Sequence, residues 1–406
     1  MSDTSTIPAQ APLHGVKVID LTHVIAGPYT TQVLGDLGAT IIKIEEPHQG
    51  DAGRHLAPFV NGMSHYFTCF NRNKQSVALD LKQPEGLEAA KRILADADVL
   101  VENFSPGALE RLGLGYEEAR ALNPRLIYCS ISGFGLTGPE RTRRYYDLIG
   151  QAYSGVMSTT GEPGRAPVKL GVPVGDTTGA LFAVISILAA INARRDTGEG
   201  QHIDLSLQDC LLAVLANYSG YYFATGKQPE LVGSRHYFSV PYGSYKTKDG
   251  YVVLATSTDE QWQSFCKELE LPGLAADPEL KSRQDRSANR EMIEAVLQER
   301  LSSMTTGSIV SRMDKAGIPA SPLNDLEAAL NSPQANARNM VREVSHPAYG
   351  NTKVVGSPLG PRLTRSEIDA PPALGEHTIR VLREHGYSDE RIDRMIASEA
   401  ASGAGS

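Results

Sequence analysis

The chain has 406 residues, and its 39 Lys and Arg against 47 Asp and Glu give a formal net charge of -8 at pH 7. This length suggests two or three domains. The acidic balance argues against a nucleic-acid partner and gives no sign of a basic membrane anchor. Any anionic ligand must therefore be bound by local basic residues.

The cysteines are scattered and form no C-x-x-C pair, which predicts neither a disulfide framework nor a zinc site and favours a cytoplasmic location. The N-terminal residues 1–12 lack Lys and Arg and predict a short flexible tail instead of a signal peptide. The apolar run 180–193 is too short to cross a bilayer comfortably and predicts a buried helix, so we expect no membrane association.

The first third of the chain alternates strand and helix patterns, which predicts an α/β fold with a parallel sheet. The expected strands are 16–21, 40–44, 76–81, 98–103 and 125–132, and the expected helices are 27–38 and 84–96. In such sheets, ligands bind outside the carboxyl ends of the strands. The segments that follow three of these strands, 23–28, 103–107 and 132–139, are therefore the expected ligand-binding loops.

Two long helices are predicted next, over 176–195 and 206–225. After Gly226 the pattern changes to a β hairpin over 245–257 that turns at Asp249-Gly250, followed by helices. Strand patterns return after Val341, and the small-residue tail 401–406 is predicted to be disordered. These changes divide the chain into 1–225, a smaller domain 226–330, and a C-terminal part 331–406.

Asp176 is the most informative residue of the chain. It stands at the start of a long apolar helix, where backbone N–H groups and the helix dipole stabilise negative charge. A carboxylate in this position can act as a nucleophile toward an activated acyl group. On local sequence alone an N-cap is the favoured interpretation, because Asp is a common N-cap residue, and the neighbouring segments reverse that preference.

Residues 133–138 match the dinucleotide fingerprint G-x-G-x-x-G, but Pro139 and a polar run follow. No helix opens there to hold a pyrophosphate, so the pattern favours a glycine-rich loop that shapes a cleft. The arginines that follow, Arg141, Arg143 and Arg144, are either solvated charge or a phosphate-binding cluster. The chain has no H-E-x-x-H motif and no G-x-S-x-G elbow, so neither a metal site nor a hydrolase triad is expected.

Five blocks in order along the chain together resemble the class III CoA-transferases, the family of formyl-CoA transferase and carnitine dehydratase. They are 13–28 with 34–45; Leu100-Val101-Glu102-Asn103-Phe104-Ser105-Pro106-Gly107; 123–128 with Gly133-Phe134-Gly135; Gly175-Asp176 with 198–209; and Leu374-Gly375-Glu376-His377-Thr378. The resemblance implies a large Rossmann-like α/β domain built from both chain ends, a smaller α+β domain, and an interlocked homodimer.

The resemblance also implies a reaction and a site. Asp176 would attack a donor acyl-CoA and form an aspartyl anhydride and then an aspartyl-CoA thioester, and CoA would pass to a carboxylic acid. No cofactor is implied beyond the CoA thioesters that are the substrates. The residues expected to contact CoA or line the site are Val24, Ala26, Lys74, Asn103, Phe104, Arg111, Arg144, Tyr146 and Asp147.

The sequence departs from formyl-CoA transferase at Ile25 and Glu46, and the segment 233–243 stands in place of that enzyme's glycine-rich loop. These departures favour a closer resemblance to relatives that use dicarboxylates. Arg235 would then bind the distal carboxylate. The main competing hypothesis is a 2-methylacyl-CoA racemase on the same fold, although Tyr146 stands where that enzyme needs a histidine base. A CoA-binding protein without turnover and a CoA hydrolase, which would release CoA without any acceptor, are also compatible with the sequence.

Overall fold

A computed structural model describes residues 11–403. The strands are β1 Lys17–Leu21, β2 Thr40–Glu45, β3 Phe59–Val60, β4 Met63–Ser64, β5 Lys74–Leu79, β6 Val99–Glu102, β7 Ile127–Ser132, β8 His202–Ser206, β9 Tyr242–Lys246, β10 Tyr251–Ala255, β11 Ala320–Pro322, β12 Val341–His346, β13 Gly350–Val355 and β14 Ala401–Ser402. The flexible tail predicted over 1–12 lies almost entirely outside the described residues.

Among the α-helices, α1, α3 and α7 begin and end within two residues of their predicted limits. The helices are α1 Ala26–Asp36, α2 His65–Phe70, α3 Pro84–Leu94, α4 Ala108–Arg111, α5 Tyr116–Leu122, α6 Asp147–Tyr153, α7 Val174–Thr197, α8 Leu207–Val214, α9 Asn217–Thr225, α10 Asp259–Glu268, α11 Pro272–Ala276, α12 Arg283–Ala288, α13 Arg290–Ser302, α14 Thr306–Lys315, α15 Leu326–Leu330, α16 Pro333–Ala337, α17 Thr378–Glu384 and α18 Asp389–Ala397.

The chain forms two compact units: the described parts of the first are 11–156, 170–216 and 334–403, and the second comprises 157–169 and 217–333. The first unit contains a seven-stranded sheet of order β14-β5-β2-β1-β6-β7-β8. All neighbours in it are parallel except the edge strand β14, which is antiparallel to β5. The predicted α/β class with a large, mostly parallel sheet is confirmed.

Alternate residues of the strands pack into two cores on opposite faces of the sheet, as the period of two in a strand requires. Ile19 faces a core shared with helices α3, α17 and α18, and Val18 faces a core shared with α1, α7 and α8. Burial on both faces favours apolar residues in these strands, although Asp20 of β1 and Lys43 of β2 are charged and fully buried. The arrangement leaves the carboxyl ends of β1, β6 and β7 free to carry loops.

The second unit has its own core, built on the three-stranded antiparallel sheet β11-β10-β9. Its β9–β10 hairpin turns where Asp249 and Gly250 predict it, and Asp249 Oδ1 accepts a 2.7 Å bond from the Thr306 amide. Trp262 and Phe265 of α10 are fully buried against the sheet.

Two predicted elements are wrong, and a third is confirmed only in part. The helix expected over 206–225 is broken between α8 and α9, because Ala216 has φ 42° and a right-handed helix cannot continue through that conformation. The tail predicted to be disordered carries β14, whose Ala401 pairs with Leu79. The helix expected to be buried, α7, leaves Leu181 and Ile185 exposed on one face.

Among residues 11–403, α7 is the one helix long and apolar enough to cross a membrane by length and composition, a test that core helices of globular proteins also pass. Ala183, Val184 and Ile187 of α7 lie in the core beside the sheet.

Candidate active site

The loops after β1, β6 and β7 meet, as predicted, around one cleft of about 290 Å³ in the first unit. Because the three strands are parallel, their carboxyl ends lie at the same edge of the sheet. The cleft is lined by most of the residues predicted for the site: Val24, Ala26, Asn103, Phe104, Arg144, Tyr146, Asp147 and Asp176.

Asp176 lies in the first turn of α7, which begins at Val174. The N-cap is Pro173, and it makes no side-chain capping bond, so the N-cap interpretation of Asp176 is wrong. Burial raises the pKa of the Asp176 carboxyl to about 7, and the nearby charge of Asp147 adds to the shift. No lysine, arginine or histidine of the described chain forms an ion pair with it.

Asp147 caps α7 from a neighbouring element. Its Oδ1 accepts a 2.7 Å bond from the Gly175 amide, and its Oδ2 accepts a 2.6 Å bond from Gln151 Nε2. Because Asp147 satisfies the helix amide, the carboxylate of Asp176 is not needed as a cap. The first turn of α7 therefore holds an unpaired carboxylate with a raised pKa at the wall of a cleft, which is an arrangement suited to a nucleophile.

The loop after β1 is held in a strained conformation. Val24 has φ 71°, which is unfavourable for a β-branched residue. Its amide donates a 3.0 Å bond to Asp51 Oδ1, and Asp51 in turn pairs with buried Lys43 at 3.0 Å. Lys43 Nζ also donates to the carbonyl of Thr22 at 2.6 Å. Side chains beneath the loop thus fix the backbone that Val24 presents to the cleft.

Asn103 joins the loops after β1 and β6. Its side-chain carbonyl accepts a bond from the His23 amide and its side-chain amide donates to the His23 carbonyl, both at 2.9 Å. The Phe104 ring meets the His23 ring edge to face at 5.0 Å between centroids. Both polar ends of Asn103 are therefore engaged within the protein. Asn103 and Phe104 are both partly exposed and line the cleft.

Lys74 does not line the cleft. Its ammonium is buried and donates to Asp20 Oδ2, the Pro28 carbonyl and Asn71 Oδ1 at 2.8–2.9 Å. Three partners use all three donors of an ammonium. Burial lowers the pKa of Lys74 to about 8, against the opposing charge of Asp20. In this position Lys74 supports the scaffold and has no donor left for a phosphate.

The predicted basic residues have different surroundings. Arg144 is exposed and lines the cleft, whereas Arg111 is exposed at the end of α4 and does not line it. Arg143 pairs with Glu140 at 3.2 Å and lies over the ring of Tyr153, 4.9 Å from its centroid. Arg235, which was expected to bind a distal carboxylate, lies in the second unit and pairs with Glu294 at 3.0 Å.

The glycine-rich loop 133–138 has structural reasons for its glycines. Gly135 and Gly138 have φ 82° and 80°, and a Cβ on Gly133 would lie 2.2 Å from Cβ of Tyr145.

Sequence reasoning did not single out Tyr145, because nothing in a run of two tyrosines tells which ring packs inward. It also missed Asp51, whose contact with Val24 spans 27 positions of the chain. No group of His, Cys, Asp or Glu able to hold a metal ion occurs in the part of the chain described.

Residues 13–378 match the family model described as CoA-transferase family III, and the chain belongs to this family of enzymes. It is 39% identical over 390 residues to a succinyl-CoA:glutarate CoA-transferase of Mus musculus, with 95% of this chain and 89% of the relative covered. It is 41% identical over 342 residues to an acetyl-CoA:oxalate CoA-transferase of Acetobacter aceti, covering 84% of this chain and 88% of the relative.

A solved structure of a CAIB/BAIF family protein from Brucella suis has the same fold. It superposes with a TM-score of 0.83 at 38% sequence identity, and the match covers 93% of this chain and all of that chain. The resemblance to class III CoA-transferases inferred from the sequence is confirmed.

Proposed function

We propose that the protein moves CoA from a donor acyl-CoA, such as succinyl-CoA, to a dicarboxylic acid. The observation that carries the proposal is the Asp176 carboxylate, which lies unpaired among the described residues at the wall of a cleft in a CoA-transferase. The relatives named for transfer from succinyl-CoA to glutarate and from acetyl-CoA to oxalate support a dicarboxylate acceptor.

The reaction begins when an Asp176 oxygen attacks the thioester carbon of the donor. The C–S bond breaks, CoA leaves as a thiolate, and a mixed anhydride remains on Asp176. The thiolate then attacks the aspartyl carbonyl carbon, which forms an aspartyl-CoA thioester and releases the donor acid as a carboxylate. An anhydride and a thioester are similarly activated acyl groups, so the free energy changes little in either step.

The second half runs the same chemistry in reverse. The acceptor carboxylate attacks the aspartyl thioester, which forms a new anhydride and frees the thiolate. Attack of the thiolate on the acceptor's acyl carbon produces the new CoA thioester and regenerates Asp176. The carboxylate must be ionised to start the cycle, so we expect activity to rise as the pH passes through about 7.

In the proposed complex, CoA lies along the loops after β1 and β6. Val24 and Ala26 would contact it through backbone and apolar surface, and Phe104 would meet the pantetheine, with Asn103 holding the two loops together. Arg144 would pair with a phosphate at the mouth of the cleft, because guanidinium binds phosphate through two parallel hydrogen bonds. Arg111, which lies outside the cleft, remains a candidate for binding a CoA phosphate.

We also propose that the enzyme acts as a cytoplasmic homodimer. The exposed apolar side chains of α7, Leu181 and Ile185, would be covered by a second copy of the chain. The unpaired cysteines support a reducing compartment. Light scattering coupled to size exclusion should give twice the chain mass of 43.7 kDa, and a monomer at micromolar concentration would contradict the dimer.

Trapping of the covalent intermediate tests the proposed function. The enzyme is incubated with succinyl-CoA, treated with hydroxylamine, digested and analysed by mass spectrometry. A hydroxamate at Asp176 that requires acyl-CoA supports the mechanism, and the variant Asp176→Asn serves as the control that must remain unmodified. Absence of any hydroxamate across a panel of acyl-CoAs would overturn the mechanism and favour the racemase or the CoA-binding protein.

A further inference from the structure

The side chain of Tyr145 occupies a socket made by three glycines from three elements. A Cβ on Gly133 would lie 2.2 Å from Cβ of Tyr145, and a Cβ on Gly150 or Gly175 would lie 2.1 or 2.6 Å from its hydroxyl oxygen. Separations this short are impossible, so any side chain at these positions would displace the ring. Tyr145 is thus the packing centre at which the loop after β7, α6 and α7 meet.

The hydroxyl of Tyr145 is not explained by this packing. The oxygen is buried, and no hydrogen-bond partner for it occurs among residues 11–403. A phenylalanine would fill the socket equally well and would avoid the free-energy cost of a buried, unsatisfied hydroxyl. Buried polar groups are satisfied in the large majority of cases, and a catalytic role is one of the recognised reasons for an exception.

The surroundings of this hydroxyl favour a role as a hydrogen-bond donor. Burial raises the pKa of Tyr145, and the charges of Asp176 and Asp147 raise it further, so the phenol keeps its proton at neutral pH. The hydroxyl lies beside Gly175, the residue that directly precedes Asp176 in the first turn of α7. The amide of Gly175 already donates to Asp147, which leaves the phenol as a free donor at this point.

We propose that Tyr145 is a further catalytic residue, whose hydroxyl donates a hydrogen bond to the Asp176 carbonyl oxygen when that oxygen becomes negatively charged. The inference rests on the proposed function. When the CoA thiolate attacks the aspartyl carbon of the anhydride, a C–S bond forms and the C=O electron pair moves to oxygen. The phenol stabilises this oxyanion without transferring its proton, and collapse expels the donor carboxylate.

The test compares Tyr145→Phe with Tyr387→Phe. Tyr387 is also buried, and its hydroxyl likewise has no partner in the described part of the chain, but it packs beside Arg92 and Arg391 in the core on the other face of the sheet. Both variants remove one unsatisfied hydroxyl, so neither should lower the melting temperature. Tyr145→Phe should lower kcat about 100-fold, the order seen when one oxyanion donor is lost, with KM for acyl-CoA little changed. Tyr387→Phe should keep the parent kcat.

A kcat within twofold of the parent in Tyr145→Phe would overturn the proposal. If that variant is unstable, site-specific fluorotyrosine at position 145 keeps the shape and changes the acidity of the hydroxyl, and an unchanged kcat would then overturn it. Hydroxamate trapping separates the two proposals. A slow Tyr145→Phe variant that still labels Asp176 supports both, whereas a parent enzyme that never labels Asp176 removes the basis for both.

Discussion

Two aspartates of the first unit, the fully buried Asp20 and the half-buried Asp176, have opposite acidities. Burial alone would raise the pKa of either carboxyl. At Asp20, however, the ammonium groups of Lys43 and Lys74 outweigh burial and hold the pKa well below its ordinary value. At Asp176 the neighbouring charge is the carboxylate of Asp147, and the pKa rises to about 7.

This difference in pKa distinguishes a structural carboxylate from a reactive one. Asp20 accepts bonds from the amide and the hydroxyl of Thr22, from Thr31 and from Lys74, and these four bonds leave it no free lone pair with which to attack a substrate. Asp176 has no cation to stabilise its charge within the described chain, so its carboxylate is the more basic and the more nucleophilic of the two. A carboxylate can thus be a structural tie or a reactive group, and its charged neighbours decide which.

Removal of the carboxylate at Asp176 is expected to have the largest effect on activity. Asp176→Asn keeps the shape but should lower kcat at least about 1,000-fold, because the covalent route is lost. The same substitution should raise the free energy of unfolding. The raised pKa means that the native protein keeps a proton that the unfolded chain releases between pH 4 and 7, so stability falls as the pH rises through that window.

The asparagine variant should not lose stability as the pH rises through that window. At pH 8 its free energy of unfolding should be about 1–4 kcal/mol higher than that of the parent. Urea unfolding at pH 5 and pH 8, followed by circular dichroism, measures the difference. A variant that is less stable than the parent at pH 8 would show that the charge of Asp176 is not unfavourable in the fold.

Lys74→Met tests the paired side of the comparison. It leaves Asp20 with Lys43 alone, 3.6 Å away, and should lower the free energy of unfolding by about 3–5 kcal/mol, as is usual when one member of a buried pair is removed. Exposed Lys82→Met is the control and should change stability by less than about 0.5 kcal/mol. A Lys74→Met variant that is as stable as the parent but has a raised KM for acyl-CoA would show that Lys74 binds CoA.

Asp147→Asn tests whether a like charge helps to set the acidity of Asp176. The asparagine carbonyl can still accept from the Gly175 amide, while the charge is removed. The rise of kcat/KM with pH, expected around pH 7 in the parent, should therefore move to lower pH in the variant. A pH profile that does not move would leave burial as the only cause of the shift.

Arg144→Ala should have the smallest effect. The side chain is exposed, so its pairing with a CoA phosphate is screened, and KM should rise about 3- to 10-fold at low salt and less at high salt. Arg195→Ala removes another exposed arginine, near the C-terminal end of α7, and should leave KM unchanged. Equal effects of the two substitutions would show that Arg144 contributes only to the overall charge.

Much of the first unit was predictable because its signals are local. The strands β1, β2, β6 and β7 lie within two residues of their predicted limits, since short runs rich in β-branched and other apolar residues mark them in the sequence. The meeting of three loops at one cleft was predictable because parallel strands place their carboxyl ends together. The break at Ala216 was not, because an alanine carries no sign of a left-handed backbone.

The sequence by itself determined the class of the sheet, the loops that form the cleft, the position of Asp176 at the start of a helix, and the family. Only the tertiary structure decided which charges are paired. Lys74 and Arg144 are both basic residues next to polar loops in the sequence, yet one is buried against Asp20 and the other faces the cleft. Ion pairing and burial depend on contacts between distant parts of the chain, and local pattern does not contain them.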